Sequence, residues 1–133
     1  MKWNETNYPR IGETVLRTTL PNGLTVAVVP KPLYRKRYAF FTTRYGGVST
    51  GQFSTLNLGT SRGDSMENVL RNYEILGAAV GFSPEDVVHT WQEHTDIILR
   101  VGKSDCGKGL FRNQPDVCDG LITNEPGVAL VCF

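Results

Sequence analysis

The chain has 133 residues, the size of one small domain, with 14 basic and 13 acidic side chains and a formal net charge of +1. So even a balance excludes broad electrostatic attachment to nucleic acid or to an anionic membrane surface. No apolar stretch approaches the ~18 residues of a membrane-spanning helix, and Met1-Lys2-Trp3-Asn4-Glu5 lacks the apolar core of a signal peptide.

In chain order, the first expected element is a hairpin. Val15 to Leu20 and Leu24 to Val29 are strand-like runs on either side of Pro21-Asn22-Gly23, and Asn-Gly supplies the positive φ angles of a tight turn. Pro30 and Pro32 end the second run. The basic stretch Lys31 to Arg37, interrupted by Pro32, Leu33 and Tyr34, reads as a solvated loop. Tyr38 to Thr43 is a further strand leading into the Gly46-Gly47 turn.

A helix is expected over Asp64 to Val80. Asp64 with Glu67 has the spacing of a capping box, and Val69, Tyr73, Leu76 and Val80 share one apolar face. Gly81 follows, where a left-handed residue ends a helix. Ser83-Pro84-Glu85-Asp86 has the order of cap, proline and first-turn acids, for a helix of about one turn. Val87 to Trp91 and Ile97 to Val101 look like strands, and Gly102 to Asp116 is a Gly-rich loop. Gly120 to Thr123 and Val128 to Phe133 are the last strand-like runs, the second apolar enough for a buried strand. A native domain seldom ends on such a strand, so further sequence is expected beyond it.

Cysteines 106, 118 and 132 show no C-x-x-C spacing. Cys132, in an apolar run, is expected to be a buried thiol, and a reduced, cytoplasmic compartment fits this usage.

Few residues invite chemistry. In Arg44-Tyr45-Gly46-Gly47-Val48-Ser49-Thr50-Gly51, a glycine turn with outward N–H groups beside Arg44, Ser49 and Thr50 would make an anion cradle, although such a turn between strands is more often plain structure. Asn57, between Leu56 and Leu58, faces a pocket or bonds its own backbone. His94 follows Gln92 on a strand-like run, which would put both side chains on one face. An imidazole is a common metal ligand, and Gln92 could orient a ligand or a water; a lone histidine is also an ordinary surface residue. His89, within the strand before it, reads likewise as an ordinary surface or hydrogen-bonded residue. Metal sites need three or four ligands, and this chain does not obviously supply them.

From about Phe41 to Phe133 these features stand in the order of a known family. Phe41-Thr42-Thr43-Arg44-Tyr45-Gly46-Gly47-Val48-Ser49, Leu56-Asn57-Leu58-Gly59, Gly63-Asp64, Glu67-Asn68-Val69 with Asn72, Gln92-x-His94 and Asp119-Gly120-Leu121-Ile122-Thr123 resemble the signatures of laccase-domain proteins. The resemblance implies an α/β (α+β) fold, an incomplete laccase-domain sandwich with a mixed sheet and one main helix, preceded by the hairpin. It implies a metal, zinc before copper, held by two histidines and a cysteine, the first histidine being His94. The family's Ala-Asp-Cys and His-Ala-Gly-Trp motifs, which carry the other ligands, are not in the sequence, and Cys132 is too early to be that cysteine.

The same resemblance implies purine nucleoside phosphorylase, methylthioadenosine phosphorylase and adenosine deaminase activities, and in bacteria peptidoglycan editing. Purine nucleoside and phosphate would be the small-molecule partners, with no nucleic acid and no membrane. Arg44, Gly46, Gly47, Ser49, Asn57 and Gln92 are then candidates for substrate or phosphate contacts. Many members carry arginine directly after the helix asparagine, where this chain has Tyr73. Activity of this chain alone is not expected.

Residues 1–40 resemble a different family. Gly12-Glu13-Thr14-Val15, Leu20-Pro21-Asn22-Gly23-Leu24-Thr25-Val26, Val29-Pro30-Lys31-Pro32 and Tyr38-Ala39-Phe40-Phe41 look like the N-terminal hairpin of pitrilysin-type (M16) metallopeptidase homologues, whose His-x-x-Glu-His zinc helix is absent. This implies a division into residues 1–40 and 41–133, with a seam between Tyr38 and Gly47. A peptidase-like fragment and a non-catalytic interaction module are the alternatives to a nucleoside enzyme.

Overall fold

The computed structural model describes residues 10–11, 15–19, 24–28 and 39–133. The chain divides into two compact units, residues 1–57 and 58–133.

The first unit is an antiparallel meander in sequence order: β1 (Arg10–Ile11), β2 (Val15–Thr19), β3 (Thr25–Val28) and β4 (Phe40–Thr42). The expected hairpin is present, with Leu16 opposite Val28 and Thr19 opposite Thr25; its turn, Pro21 to Gly23, lies outside the described residues. β3 pairs with β4 from Val26–Thr42 to Val28–Phe40, so one sheet runs across the expected seam at residue 40. Leu24 is fully buried. Gly46 has φ +102°, and a Cβ there would lie 2.6 Å from Leu24 Cα, so both backbone angle and close approach require glycine.

The second unit holds α1 (Met66–Val80), β5 (Val87–His89), β6 (Ile98–Arg100), β7 (Gly120–Ile122) and β8 (Ala129–Val131). β5 pairs with β8 and β6 with β7, both in parallel. Parallel neighbours cannot be joined by a tight turn, which is why long connections separate them in sequence.

The helix starts one residue later than expected. Ser65 takes the extended cap conformation and its carbonyl accepts from Val69 N at 3.1 Å, which puts Glu67 at the second helical position. Asp64 Oδ1 instead accepts from Ser65 N at 2.8 Å and Asn68 Nδ2 at 3.4 Å. Of the expected apolar face, Val69, Tyr73 and Leu76 are buried, and Val80, at the helix end, is half-buried. Gly81, at φ +96°, ends the helix, its N–H donating to Gly77 O at 2.7 Å. Ser83 to Asp86 forms a single 3-10 turn, with Ser83 N donating to Asp86 Oδ2 at 3.1 Å.

The core of this unit is Val69, Tyr73, Val87 and Leu110, with Leu58, Leu70, Phe82, Ala129 and Val131 packed against it. Leu110 comes from the Gly-rich loop, which does more than connect strands. Gly107 N donates to Val87 O at 2.7 Å and His89 N to Lys108 O at 2.9 Å, so the loop lines the edge of β5 opposite β8. Two expectations are corrected. The last strand is only partly covered, with Leu130 37% exposed, because pairing with β5 protects one side of it only. Cys132 is exposed, and the buried thiol is Cys118, which sits beside Trp91 in an antiparallel bridge. Among the described residues no helix is long and apolar enough to cross a membrane.

Candidate functional site

In the first unit the candidates cluster around one residue that sequence reasoning passed over, Thr55. Its hydroxyl donates to Arg44 O at 3.1 Å and accepts from Gly46 N at 2.9 Å and Gly47 N at 3.3 Å. That uses the full capacity of a hydroxyl, one donor and two lone pairs. Thr55 and Leu56 N–H groups also donate to Arg44 O, and Ser49 N donates to Thr55 O at 2.9 Å. The amides expected to face outward from the Gly46-Gly47 turn therefore point inward to Thr55. Arg44 remains exposed, with Nε donating to Ser54 O at 2.8 Å. Ser49 is buried and Asn57 half-buried.

In the second unit Gln92 and His94 do not lie on a strand. β5 ends at His89, and residues 91–97 form an exposed bend in which His94 has φ +60°. The strand alternation expected for Gln92 and His94 is thus broken by a left-handed residue between two extended segments. Gln92 Oε1 accepts from Phe133 N at 3.2 Å.

Asp119, one residue before β7, holds this bend. Its Oδ1 accepts from Glu93 N at 3.2 Å, Thr95 N at 2.9 Å and Thr95 Oγ1 at 2.9 Å, and its Oδ2 from His94 N at 3.0 Å. These donors, Thr95 N–H first, keep the carboxyl below the usual aspartate range. The sequence placed Asp119 in a motif but offered no sign of its partners, which lie 24 to 26 residues earlier in the chain.

His89 is buried and hydrogen-bonded, so of its two ordinary readings the surface one does not hold. Its Nε2 is 2.8 Å from Tyr73 Oη, which is 3.1 Å from Leu58 O. The proton arrangement that satisfies both contacts has Tyr73 donating to the carbonyl and His89 Nε2–H donating to the phenol oxygen. Burial lowers His89 to about 4 and pushes the Tyr73 hydroxyl up, so both stay neutral. Phe133 packs edge-on against the imidazole at 5.3 Å, and Gln114 Nε2 donates to His89 O at 2.9 Å. Tyr73 therefore serves core packing.

Among the described residues no group of three or more His, Cys, Asp or Glu side chains is placed to hold a metal ion. His94 offers one imidazole, so these residues alone do not fit a complete zinc site.

The glycine turn held by Thr55 and the bend held by Asp119 both lie within residues 38–133. Residues 38–133 match the family model of the multi-copper polyphenol oxidoreductase laccase, and the chain belongs to that family. Purine nucleoside phosphorylase YlmD of Geobacillus stearothermophilus is 38% identical over 105 residues, covering 77% of this chain and 38% of that protein. A purine nucleoside phosphorylase of Mycobacterium tuberculosis is 40% identical over 90 residues, covering 67% of this chain and 33% of that protein. The crystal structure of Geobacillus stearothermophilus YlmD superposes with a TM-score of 0.64 at 31% identity, over 93% of this chain and 43% of that one. Bacillus licheniformis YfiH does so at 0.65 and 26%, over 92% and 42%. The chain thus spans about 38% of the length of the first of these relatives. A likeness covering 93% of the chain reaches into residues 1–40, which the M16-type comparison had set apart.

Proposed function

We propose that this chain forms part of a zinc-dependent purine nucleoside phosphorylase, with adenosine deamination and methylthioadenosine phosphorolysis as further reactions of the same site. The observation that carries the reading is the 38% identity to a purine nucleoside phosphorylase over 105 residues that include both the glycine turn and the His94 bend. In this reading His94 is one metal ligand, Gln92 lies beside it, and the remaining ligands come from residues outside this sequence.

Phosphorolysis needs a phosphate oxygen set against the anomeric carbon of the ribose, with its charge balanced by fixed donors. Arg44 is the suited donor of its loop, since it is exposed and charged while the Gly46 and Gly47 amides are bound to Thr55. Ser49, whose N–H donates to Thr55 O, and Asn57 complete the proposed substrate contacts. A reducing cytoplasm, in which Cys106, Cys118 and Cys132 stay thiols, is the proposed compartment.

The test is direct. Purified chain should carry no stoichiometric zinc and release no base from inosine or adenosine with phosphate. The gene read past the codon for Phe133 should encode Ala-Asp-Cys within a few codons, and the longer product should gain both properties. Turnover by the metal-analysed chain alone would refute the need for ligands from outside this sequence. A stop codon in that place would favour the non-catalytic interaction module, which the single imidazole also suits.

A further inference from the structure

We infer that Asp119 is the positioning residue for His94, fixing that histidine in a left-handed backbone conformation so that it projects from the bend. The use of His94 rests on the function proposed above; the fixing of its backbone does not.

His94 is the positive-φ residue other than glycine among the described residues, at φ +60°. An L side chain adopts that angle rarely, and a single such residue persists where its surroundings over-determine it. Here the surroundings are three consecutive residues. Cys118 N donates to Trp91 O at 2.9 Å at the near end of the bend. Asp119 N and Gly120 N donate to Ile97 O at 3.0 and 3.2 Å at the far end. Between them the Asp119 carboxylate receives the consecutive amides of Glu93, His94 and Thr95. Successive N–H groups converging on one anion form a nest, and this nest is filled from within the chain.

The chemistry asks for aspartate in particular. Both carboxylate oxygens accept, whereas an asparagine amide offers one acceptor and would turn N–H toward the other donors. Oδ1 serves Glu93 and Thr95 while Oδ2 serves His94 alone. The bend is exposed throughout, so these hydrogen bonds, rather than burial, restrain it.

Amide hydrogen exchange followed by NMR on the full chain tests this without metal or substrate. Asp119→Ala should speed exchange at Glu93, His94 and Thr95 by about tenfold or more, the loss expected for charge-assisted hydrogen bonds. Core amides such as Val88 should not change. Asp119→Asn should speed His94 while leaving Glu93 and Thr95 slow, a pattern that general loosening would not produce. In a His94→Gly background, where the left-handed angle is free of strain, Asp119→Asn should shift the unfolding midpoint less than it does with His94 present. Unchanged exchange at residues 93–95 in a folded Asp119→Ala protein would overturn the inference, as would equal midpoint shifts in the two backgrounds. If Asp119→Ala fails to fold, the asparagine and glycine variants decide alone. Exchange that behaves as stated, with a longer gene product whose zinc content is indifferent to His94→Ala, would support the positioning and refute the function.

Discussion

The two histidines of this chain have opposite surroundings, and their chemistry follows from that. His89 lies under Tyr73 and Phe133, where the charged imidazolium is penalised, and its pKa falls from an ordinary 6.5 to about 4. The folded state therefore binds a proton less readily than the unfolded chain. The resulting stability is complete above about pH 6.5 and is lost as pH falls from there toward 4, to a total of about 3 kcal/mol. Urea midpoints measured from pH 7.5 down to 4.5 should show that decline, and His89→Gln should flatten its upper part, between about pH 6.5 and 5, where few carboxylates titrate. An equal slope in both proteins would show that His89 is not the group responsible. His94, by contrast, is exposed, and its distinguishing property is a backbone angle.

At the scale of elements, α1 is bounded by glycines that do different things. Gly81 is left-handed with open space around its Cβ direction, so its requirement is conformational. Gly77 lies inside the helix and is buried, and a Cβ there would collide with the Phe82 carbonyl oxygen as the chain turns back over the helix end. Gly81→Ala should cost about 1–2 kcal/mol, and Gly81→Asn less, since asparagine tolerates that region. Gly77→Ala gains up to about 1 kcal/mol of helix propensity yet should lose about 1–3 kcal/mol net through overpacking. Denaturant titration of the three variants checks the order; a stabilised Gly77→Ala would mean that the turn relaxes around the new methyl. The Gly-rich loop after β6 shows the same economy, because Gly109 has φ +87° and a Cβ there would strike the His89 side chain.

For the whole molecule, the parallel pairs matter most. Parallel strands normally lie inside sheets covered on both faces, yet β6 and β7 form a pair on which Ile98 is 67% and Ile122 57% exposed. Exposed apolar strands with unpaired edges template contacts with other chains. The purified chain should associate in a concentration-dependent way in sedimentation velocity, and Ile98→Lys or Ile122→Lys should weaken that association. A chain that stays monomeric at all concentrations would show that these strands need no cover. The family relation also belongs to this scale: the order of motifs from Phe41 onward pointed to laccase-domain proteins, and the match over residues 38–133 bears that out. The hairpin resembled a different family, but β3 and β4 join it to the same sheet.

Local pattern was enough for the features whose causes are local. The spacing of Val69, Tyr73 and Leu76 dictates a helix face, Gly81 its end, and Pro84 a single turn, because each acts within a few residues of backbone. The hairpin and the family motifs were legible for the same reason. Whether the Gly46 and Gly47 amides face outward was not, since the answer lies in the Thr55 hydroxyl eight and nine residues on. Nor was the exposure of Cys132 or the burial of Cys118, because burial depends on what covers a strand from elsewhere. The candidate site turns on the longest of these links. His94 in the sequence is a lone histidine; only tertiary structure brings Asp119 to its backbone, because a carboxylate satisfies converging amides wherever the fold delivers it, at any sequence distance.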